Sequence, residues 1–275
     1  DRTDRTAETE AQLLALARNG DEPDIVRATA LETLGRIRSP EQLKSVSDLL
    51  ADPSALVRAS ALRAFGGTPA RQRLSAAVPL LNDPLKAVRL EAARLLIGVP
   101  LASLSADEKR MARKAISEYQ ASLFARADYP ETQMQIAGLA MALRHVDAAE
   151  SAFREAIAMD PQLPDAWLAL ARVQSATNDR AKAIETLESA SKLLPDSGHV
   201  FRELGFLYAA RQDSGASVAA LEKSLKLLGA TPEVLELLVL NYLSLKDIPK
   251  ARDYAAKLRQ RFPDYDASAA VRAVR

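Results

Sequence analysis

The chain contains no cysteine. Disulfides, thiolate-bound metals, cysteine nucleophiles and covalent haem attachment are therefore excluded within these 275 residues, although that absence leaves the compartment open. Histidine occurs twice, at His145 and His199, which is too few for a histidine-based metal cluster. Glycine is sparse at 10 residues and aromatics make up 5 %, while alanine and leucine dominate, a composition that favours helices throughout. Neither sign of charge is in excess: Lys plus Arg (37) nearly cancels Asp plus Glu (36), so no global field draws the chain to nucleic acid or an anionic membrane. The most apolar run, residues 234–245, is too short to span a bilayer and is interrupted by Glu236 and Asn241. It reads as a buried helix of a soluble chain. Residue 1 is aspartate and no apolar leader follows, which reads as a processed chain or a piece of a longer one.

Catalytic signatures are missing as well. No Gly-rich phosphate loop, G-x-G-x-x-G, H-E-x-x-H or G-x-S-x-G is present. The carboxylates are scattered at helix-surface spacing, where Glu–Lys and Glu–Arg pairs serve solubility, and none forms an acid–base pair. His145 reads as a solvated turn residue and the single Trp167 as core. The segment carrying Lys250, Arg252, Lys257, Arg259 and Arg261 also carries Asp247, Asp253 and Asp264, so it reads as a solvated face, not a nucleic-acid footprint. The expectation is a non-enzyme without cofactor or metal.

What the sequence has instead is repetition. In the first part Asp21–Ile25–Val26–Arg27–Ala30–Leu34 returns after 31 residues as Asp52–Leu56–Val57–Arg58–Ala61–Phe65, and again as Asp83–Ala87–Val88–Arg89–Ala92–Leu96. Val, Ala and the large apolar residue at i, i+4 and i+8 form one buried helical stripe. The aspartate sits where a carboxylate can accept the free N–H groups of a helix start. Ser39–Pro40–Glu41–Gln42 and Ser105–Ala106–Asp107–Glu108 read as capping boxes, and Thr68–Pro69 as a similar start.

From residue 130 a second series takes over with a period of 34. Ala137–Ala149–Phe153–Ala156–Pro161 is answered by Ala171–Ala183–Leu187–Ala190–Pro195, then by Gly205–Ser217–Leu221–Ser224–Gly229 and Val239–Ala251–Ala255–Leu258–Pro263. Small residues fall where helices must approach closely and large apolar ones where a core must be filled. Fixed-period self-similarity of this kind marks a solenoid of helical hairpins.

The segments DEPDIVR (21–27), DPSALVR (52–58) and DPLKAVR (83–89) resemble the HEAT repeat, and the 34-residue series resembles the tetratricopeptide repeat (TPR). The first resemblance implies that Asp21, Asp52, Asp83, Arg27, Arg58 and Arg89 build a ladder between units and are structural. The fold class expected is all-α, an α-solenoid of HEAT-like units continuing into TPR units. Its parts read as a disordered lead-in at 1–8, three HEAT-like repeats at 9–104, a joining helix at 105–128, four TPR units at 129–265 and a short terminal helix at 266–275. The joining helix resembles half a TPR unit, with Ala115 and Tyr119 one period before Ala149 and Phe153.

In solenoids the inner surface is lined by the first helix of each unit, and peptides lie along it. Helical geometry selects Met134, Gly138 and Met141 in the first TPR unit, and Asp165, Leu168, Arg172 and Ser175 in the second. The third adds His199, Arg202, Phe206 and Ala209, and the fourth Glu233, Glu236, Leu240 and Leu243. Of these, Met134, Met141, Leu168, Arg172, Ser175, His199, Arg202, Phe206, Glu236 and Leu240 are the candidate peptide- or protein-binding residues. Adaptable Met and aromatic side chains on one face suit binding, and Arg172 with Arg202 would suit an acidic group. The paired lysines and asparagines with which some TPR domains clamp a C-terminal carboxylate do not occupy these sites. The order of parts further resembles the C-terminal half of bacterial multihaem c-type cytochrome-like TPR proteins, which implies a docking arm and a periplasmic location. Without that resemblance the cytoplasm stays equally open. The expected function is an interaction scaffold for a protein or peptide, with neither nucleic-acid binding nor membrane insertion.

Overall fold

The computed structural model of the chain describes residues 2–272 and 274, and among these every regular element is a helix. The fold is all-α, an α-solenoid built from stacked helix pairs. The chain divides between Arg126 and Ala127 into two compact units.

The first unit holds α1 (Arg2–Arg18), α2 (Asp24–Leu34), α3 (Pro40–Asp48), α4 (Ala55–Ala64), α5 (Ala70–Ala77), α6 (Lys86–Leu96) and α7 (Ala106–Phe124). Helix α1 takes in residues 2–8, which the sequence reads as disordered; Asp1 lies outside the described residues. No glycine or proline precedes Gly20, so nothing stops the helix from running back beyond its apolar face. α2 packs on α4, α4 on α6 and α6 on α7. The predicted stripe is what packs there: Val57, Ala61 and Phe65, and likewise Val88, Ala92 and Leu96, are buried.

Between these helices runs a ladder of ion pairs. Arg27 donates to both carboxylate oxygens of Asp52, and the two side chains are only 6 % and 7 % exposed. Arg58 donates bidentately to Asp83, at 2.8 and 3.0 Å. Arg89 makes the third rung with Glu118 of α7, at 3.0 and 2.7 Å. Each inner aspartate also accepts an N–H two residues on, Asp52 from Ser54 and Asp83 from Leu85, so it shapes the turn before the helix. Asp21 has no preceding arginine in the series and stays exposed.

The caps are more varied than the sequence suggests. Ser105 and Glu108 form a complete reciprocal box. Ser39 Oγ accepts from the Gln42 N–H, but Gln42 Oε1 reaches past the cap to the N–H of Arg38. Thr68 does not cap α5: its hydroxyl donates backwards to the carbonyl of Phe65.

The second unit holds α8 (Pro130–Ala142) with α9 (Val146–Met159), α10 (Pro164–Ala176) with α11 (Arg180–Leu193), α12 (Gly198–Ala210) with α13 (Ser214–Leu228), α14 (Pro232–Ser244) with α15 (Ile248–Arg261), and the short α16 (Ala269–Arg272). The four hairpins start 34 residues apart, three of them on a proline that is tolerated in a first turn. Each turns the corner in the same way. Arg144, Asn178, Gln212 and Lys246 take positive φ, at 61°, 66°, 64° and 59°. The next N–H returns to the carbonyl five residues back, from His145 to Ala140, Asp179 to Gln174, Asp213 to Tyr208 and Asp247 to Tyr242, at 2.8 to 2.9 Å. This is the Schellman closure, which satisfies the last carbonyls of the first helix.

Close approach at the third hairpin requires glycine. A Cβ on Gly205 would stand 2.6 Å from Leu221, and the Gly205 carbonyl accepts the Ser217 hydroxyl at 2.8 Å. Trp167 lies in the core as expected, its indole N–H donating to the Pro161 carbonyl at 3.0 Å.

Candidate functional site

The first helices of the second unit lie side by side: α10 touches α12, and α12 touches α14. A pocket of about 270 Å3 opens where α10, α11 and α12 meet. Leu168, Ala171 and Leu187 are buried in it and Leu207 half-buried, so its floor is apolar. Ser175 and Ala176 form one wall. At the rim Arg172 Nη2 donates to Glu203 Oε1 at 2.8 Å, with the arginine side chain 62 % exposed. An ion pair this exposed is worth about 1 kcal/mol or less, so a ligand carboxylate can displace Glu203 from Arg172 at small cost.

Of the residues the sequence nominates, this pocket gathers Leu168, Arg172 and Ser175. Arg202, next to Glu203, is half-buried and makes no ion pair among the described residues. His199 stands exposed on the first turn of α12. Met134 packs against the first hairpin's core while Met141 is exposed. Phe206 and Leu240 are half-buried against the cluster that fills the last hairpin. Glu236 is engaged: it accepts the Tyr265 hydroxyl and the Ser268 N–H, each at 2.7 Å. Burial alone would raise its carboxyl, but the Ser268 and Tyr265 donors outweigh that and hold it below the ordinary range.

Glu203 and Leu207 belong to the pocket and are absent from the sequence-based selection. That selection treats each first helix alone, whereas Glu203 enters by pairing with Arg172 on the neighbouring one. Opposite charges 31 residues apart in a 34-residue series were the available signal.

Behind this face a second ladder runs at the repeat period. Tyr208 OH donates to Glu188 at 2.6 Å, and one unit on Tyr242 OH donates to Glu222 at 2.6 Å. Tyr254 adds a second hydroxyl to the same Glu222 oxygen at 2.9 Å, its ring stacked on Tyr242 with centroids 5.6 Å apart. Burial first and the carboxylate acceptor second push Tyr208 up to about 12 and Tyr242 and Tyr254 higher still.

Among the described residues no group of three or more His, Cys, Asp or Glu is placed to hold a metal, and no helix is long and apolar enough to cross a membrane.

Residues 140–202 match the family model for the tetratricopeptide repeat, and residues 3–66 match that for HEAT repeats. The two matches support a helical-repeat architecture, with the HEAT match preceding the tetratricopeptide one. No curated protein matches the sequence. Among solved structures it is similar to MamA from Desulfovibrio magneticus RS-1, at 16 % identity over 73 % of this chain and 99 % of that one, with a TM-score of 0.46. It is also similar to YrrB, titled a TPR protein with an unusual peptide-binding site, at 14 % identity over 72 % and 95 % with a TM-score of 0.47. The APC/C heterotetramer Cut9–Hcn1 matches at 16 % identity over 93 % of this chain and 50 % of that one, with a TM-score of 0.48.

Proposed function

We propose that the protein is a non-enzymatic interaction scaffold that binds a peptide or protein segment on the first-helix face of its second unit. One observation carries this reading: an apolar pocket floored by Leu168, Ala171 and Leu187 whose rim is the exposed, displaceable Arg172–Glu203 pair. A pocket of about 270 Å3 has room for one large apolar side chain of a bound segment. An acidic neighbour on that segment would then exchange with Glu203 on Arg172, a charge-assisted contact. Repeat arrays of this kind typically serve as scaffolds, which agrees with the absence of catalytic signatures from the sequence.

The test is affinity capture by the full chain, with partners counted by mass spectrometry. Arg172→Glu with Arg202→Glu reverses both charges on exposed or half-buried positions and is expected to abolish capture without changing helicity or Tm. Undiminished capture by that variant would sink the proposed surface. Arg172→Glu with Glu203→Arg restores the ion pair in reverse and separates loss of charge recognition from loss of the pair.

The alternative is a docking arm of a larger secreted multihaem cytochrome-like electron-transfer protein. It is favoured by the order of the two matches, HEAT-like before TPR, and by the sequence resemblance. Its test is the full reading frame, in which C-x-x-C-H motifs and a secretory leader upstream of Asp1 are required.

A further inference from the structure

A wider pocket, of about 460 Å3, opens where the end of α13, its loop into α14 and the last turns of α15 meet. Leu225, Ala230 and Leu235 give it an apolar lining, with Leu235 fully buried. Lys257 and Arg261, one helical turn apart on α15, add positive charge to it. Arg261 makes no ion pair among the described residues. Lys257 is paired with the exposed Asp253 and lies over the Tyr254 ring, 4.7 Å from its centre.

The 34-residue register shows what this place contains in the preceding hairpins. One period before Leu235 stands Phe201, and two periods before it Trp167. Lys257 corresponds to Lys223, whose ammonium stands 4.0 Å from the centre of the Phe201 ring. Leu225 and Gly229 correspond, two periods back, to Ile157 and Pro161. Ile157 packs against the cluster that holds Trp167, and the Pro161 carbonyl accepts the Trp167 indole N–H at 3.0 Å. An aromatic ring thus fills the position in the second and third hairpins, and a leucine stands there in the fourth. A smaller side chain in an otherwise fixed frame leaves a cavity, because the surroundings relax only in part.

We propose that this pocket is a socket for an aromatic side chain of a partner polypeptide, one with an acidic residue next to the aromatic. The ring takes the place that Trp167 and Phe201 fill in the earlier hairpins. Lys257 then stands over an aromatic face as Lys223 does, a cation–π contact. The adjacent carboxylate meets Arg261, whose planar fork suits bidentate pairing. No residue lines both this pocket and the one at Arg172, so the inference does not rest on the first-helix face.

The probe is a fluorescein-labelled peptide of sequence GSGFDGSG, titrated into the full chain and followed by anisotropy. Serine in place of its phenylalanine should weaken uptake at least about tenfold, a difference of about 1.4 kcal/mol. Lysine in place of its aspartate should weaken uptake in the same direction. In the protein, Leu235→Phe restores the aromatic residue of the register and fills the socket from within, so uptake should again fall at least about tenfold. Lys257→Glu with Arg261→Glu reverses two exposed charges and should reduce uptake as much, with helicity and Tm unchanged. If Leu235→Phe lowers Tm, the proposal stands or falls on that exposed pair.

Undiminished uptake by either variant overturns the proposal. Equal uptake of the serine peptide also overturns it, as does the absence of binding to the unaltered chain at about 1 mM peptide. Arg172→Glu with Arg202→Glu should leave uptake unaltered; a loss there places the peptide on α10 and α12 and sinks the socket while leaving the first-helix reading intact.

Discussion

The two units hold neighbouring helices in register with different chemistry. In the first, an arginine on one helix reaches a carboxylate on the next, as in Arg27–Asp52, Arg58–Asp83 and Arg89–Glu118. In the second, the rung is a neutral tyrosine hydroxyl on a carboxylate, Tyr208–Glu188 and Tyr242–Glu222. Both link adjacent repeats and both recur with the repeat. They differ in what is left when one partner is removed. With its carboxylate removed, a charged rung leaves a guanidinium short of its counter-ion, whereas a tyrosine rung leaves a neutral hydroxyl. A ladder of charges therefore fixes register firmly and fails abruptly, while a ladder of phenols fails gently.

The largest effect expected from breaking this symmetry is at Asp52. Asp52→Ala leaves the Arg27 guanidinium, in a site where both side chains are more than nine-tenths buried, with only the exposed Asp24 at 3.9 Å as counter-ion, a loss of about 3–5 kcal/mol. Urea unfolding followed by hydrogen exchange on separate peptides should show the first unit weakened and the hairpins of the second unmoved. Arg27→Met with Asp52→Leu, which removes both charges and keeps the volume, is expected to recover most of the loss. If the single variant costs under about 1 kcal/mol, the rung behaves as a surface pair and the contrast between the units collapses.

The matching break in the second unit is Glu222→Ala. It removes the acceptor shared by the buried Tyr242 and Tyr254 and leaves both hydroxyls short of a partner, a cost of about 1–3 kcal/mol. These two phenols, with Tyr208 and Tyr265, set a pH response. Tyr208 and Tyr265 are pushed up to about 12, the latter chiefly by its bond to Glu236, and Tyr242 and Tyr254 lie above that. A raised folded-state value means the folded chain holds protons the unfolded chain has lost. The stabilisation is complete below pH 10 and disappears as the pH rises to about 12 and beyond.

The first unit has a single tyrosine, Tyr119, which is raised mainly by burial. Alkali is therefore expected to open the second unit first, read as loss of exchange protection in α12–α15 before α2–α6. Acid distinguishes the units less. Asp83 and Glu118 are held low in the first, Asp83 because the Arg58 and Leu85 donors outweigh burial and Glu118 by its bond to Arg89. The second unit has Asp179, Asp213 and Glu236 held low in turn. Stabilisation from all of these is present above the ordinary carboxylate values and fades as the pH falls through them.

Much of this organisation could be read before any coordinates, because period and polarity are local properties of a sequence. The apolar stripe through Val57, Ala61 and Phe65 is visible as spacing, and so is the place of Trp167. What depends on a second helix is not visible. Glu118 completes the arginine ladder but stands outside the 31-residue register and is not an aspartate, so no spacing pointed to it. Glu203 joins the pocket only through Arg172. Glu236 looks like an open groove residue until the chain beyond Tyr265 folds back onto it. The direction of the Thr68 hydroxyl, towards Phe65 and not towards α5, was equally beyond a pattern that records residue types and not rotamers.

The smallest expected effect is the most exacting check on the repeat itself, because it adds a contact where the others remove one. At the start of each second helix in the second unit the cap is Asp179, Asp213 or Asp247, and each carboxylate accepts the N–H three residues on, at 3.2, 3.1 and 3.2 Å. The first hairpin has His145 there, with backbone angles of −91° and 74° that fall among those of the three aspartates, yet with no side-chain cap bond. The backbone is thus already set for a carboxylate that is missing. His145→Asp should place an acceptor on the Ala148 N–H and a negative charge at the helix start, a gain of about 1 kcal/mol. The gain should appear as a rise in Tm and slower exchange in α9, while His145→Ala, which supplies no acceptor, should give none. If His145→Asp leaves both unchanged, the first hairpin's corner differs from its siblings in more than the identity of its capping residue, and the equivalence of the four hairpins fails at its first member.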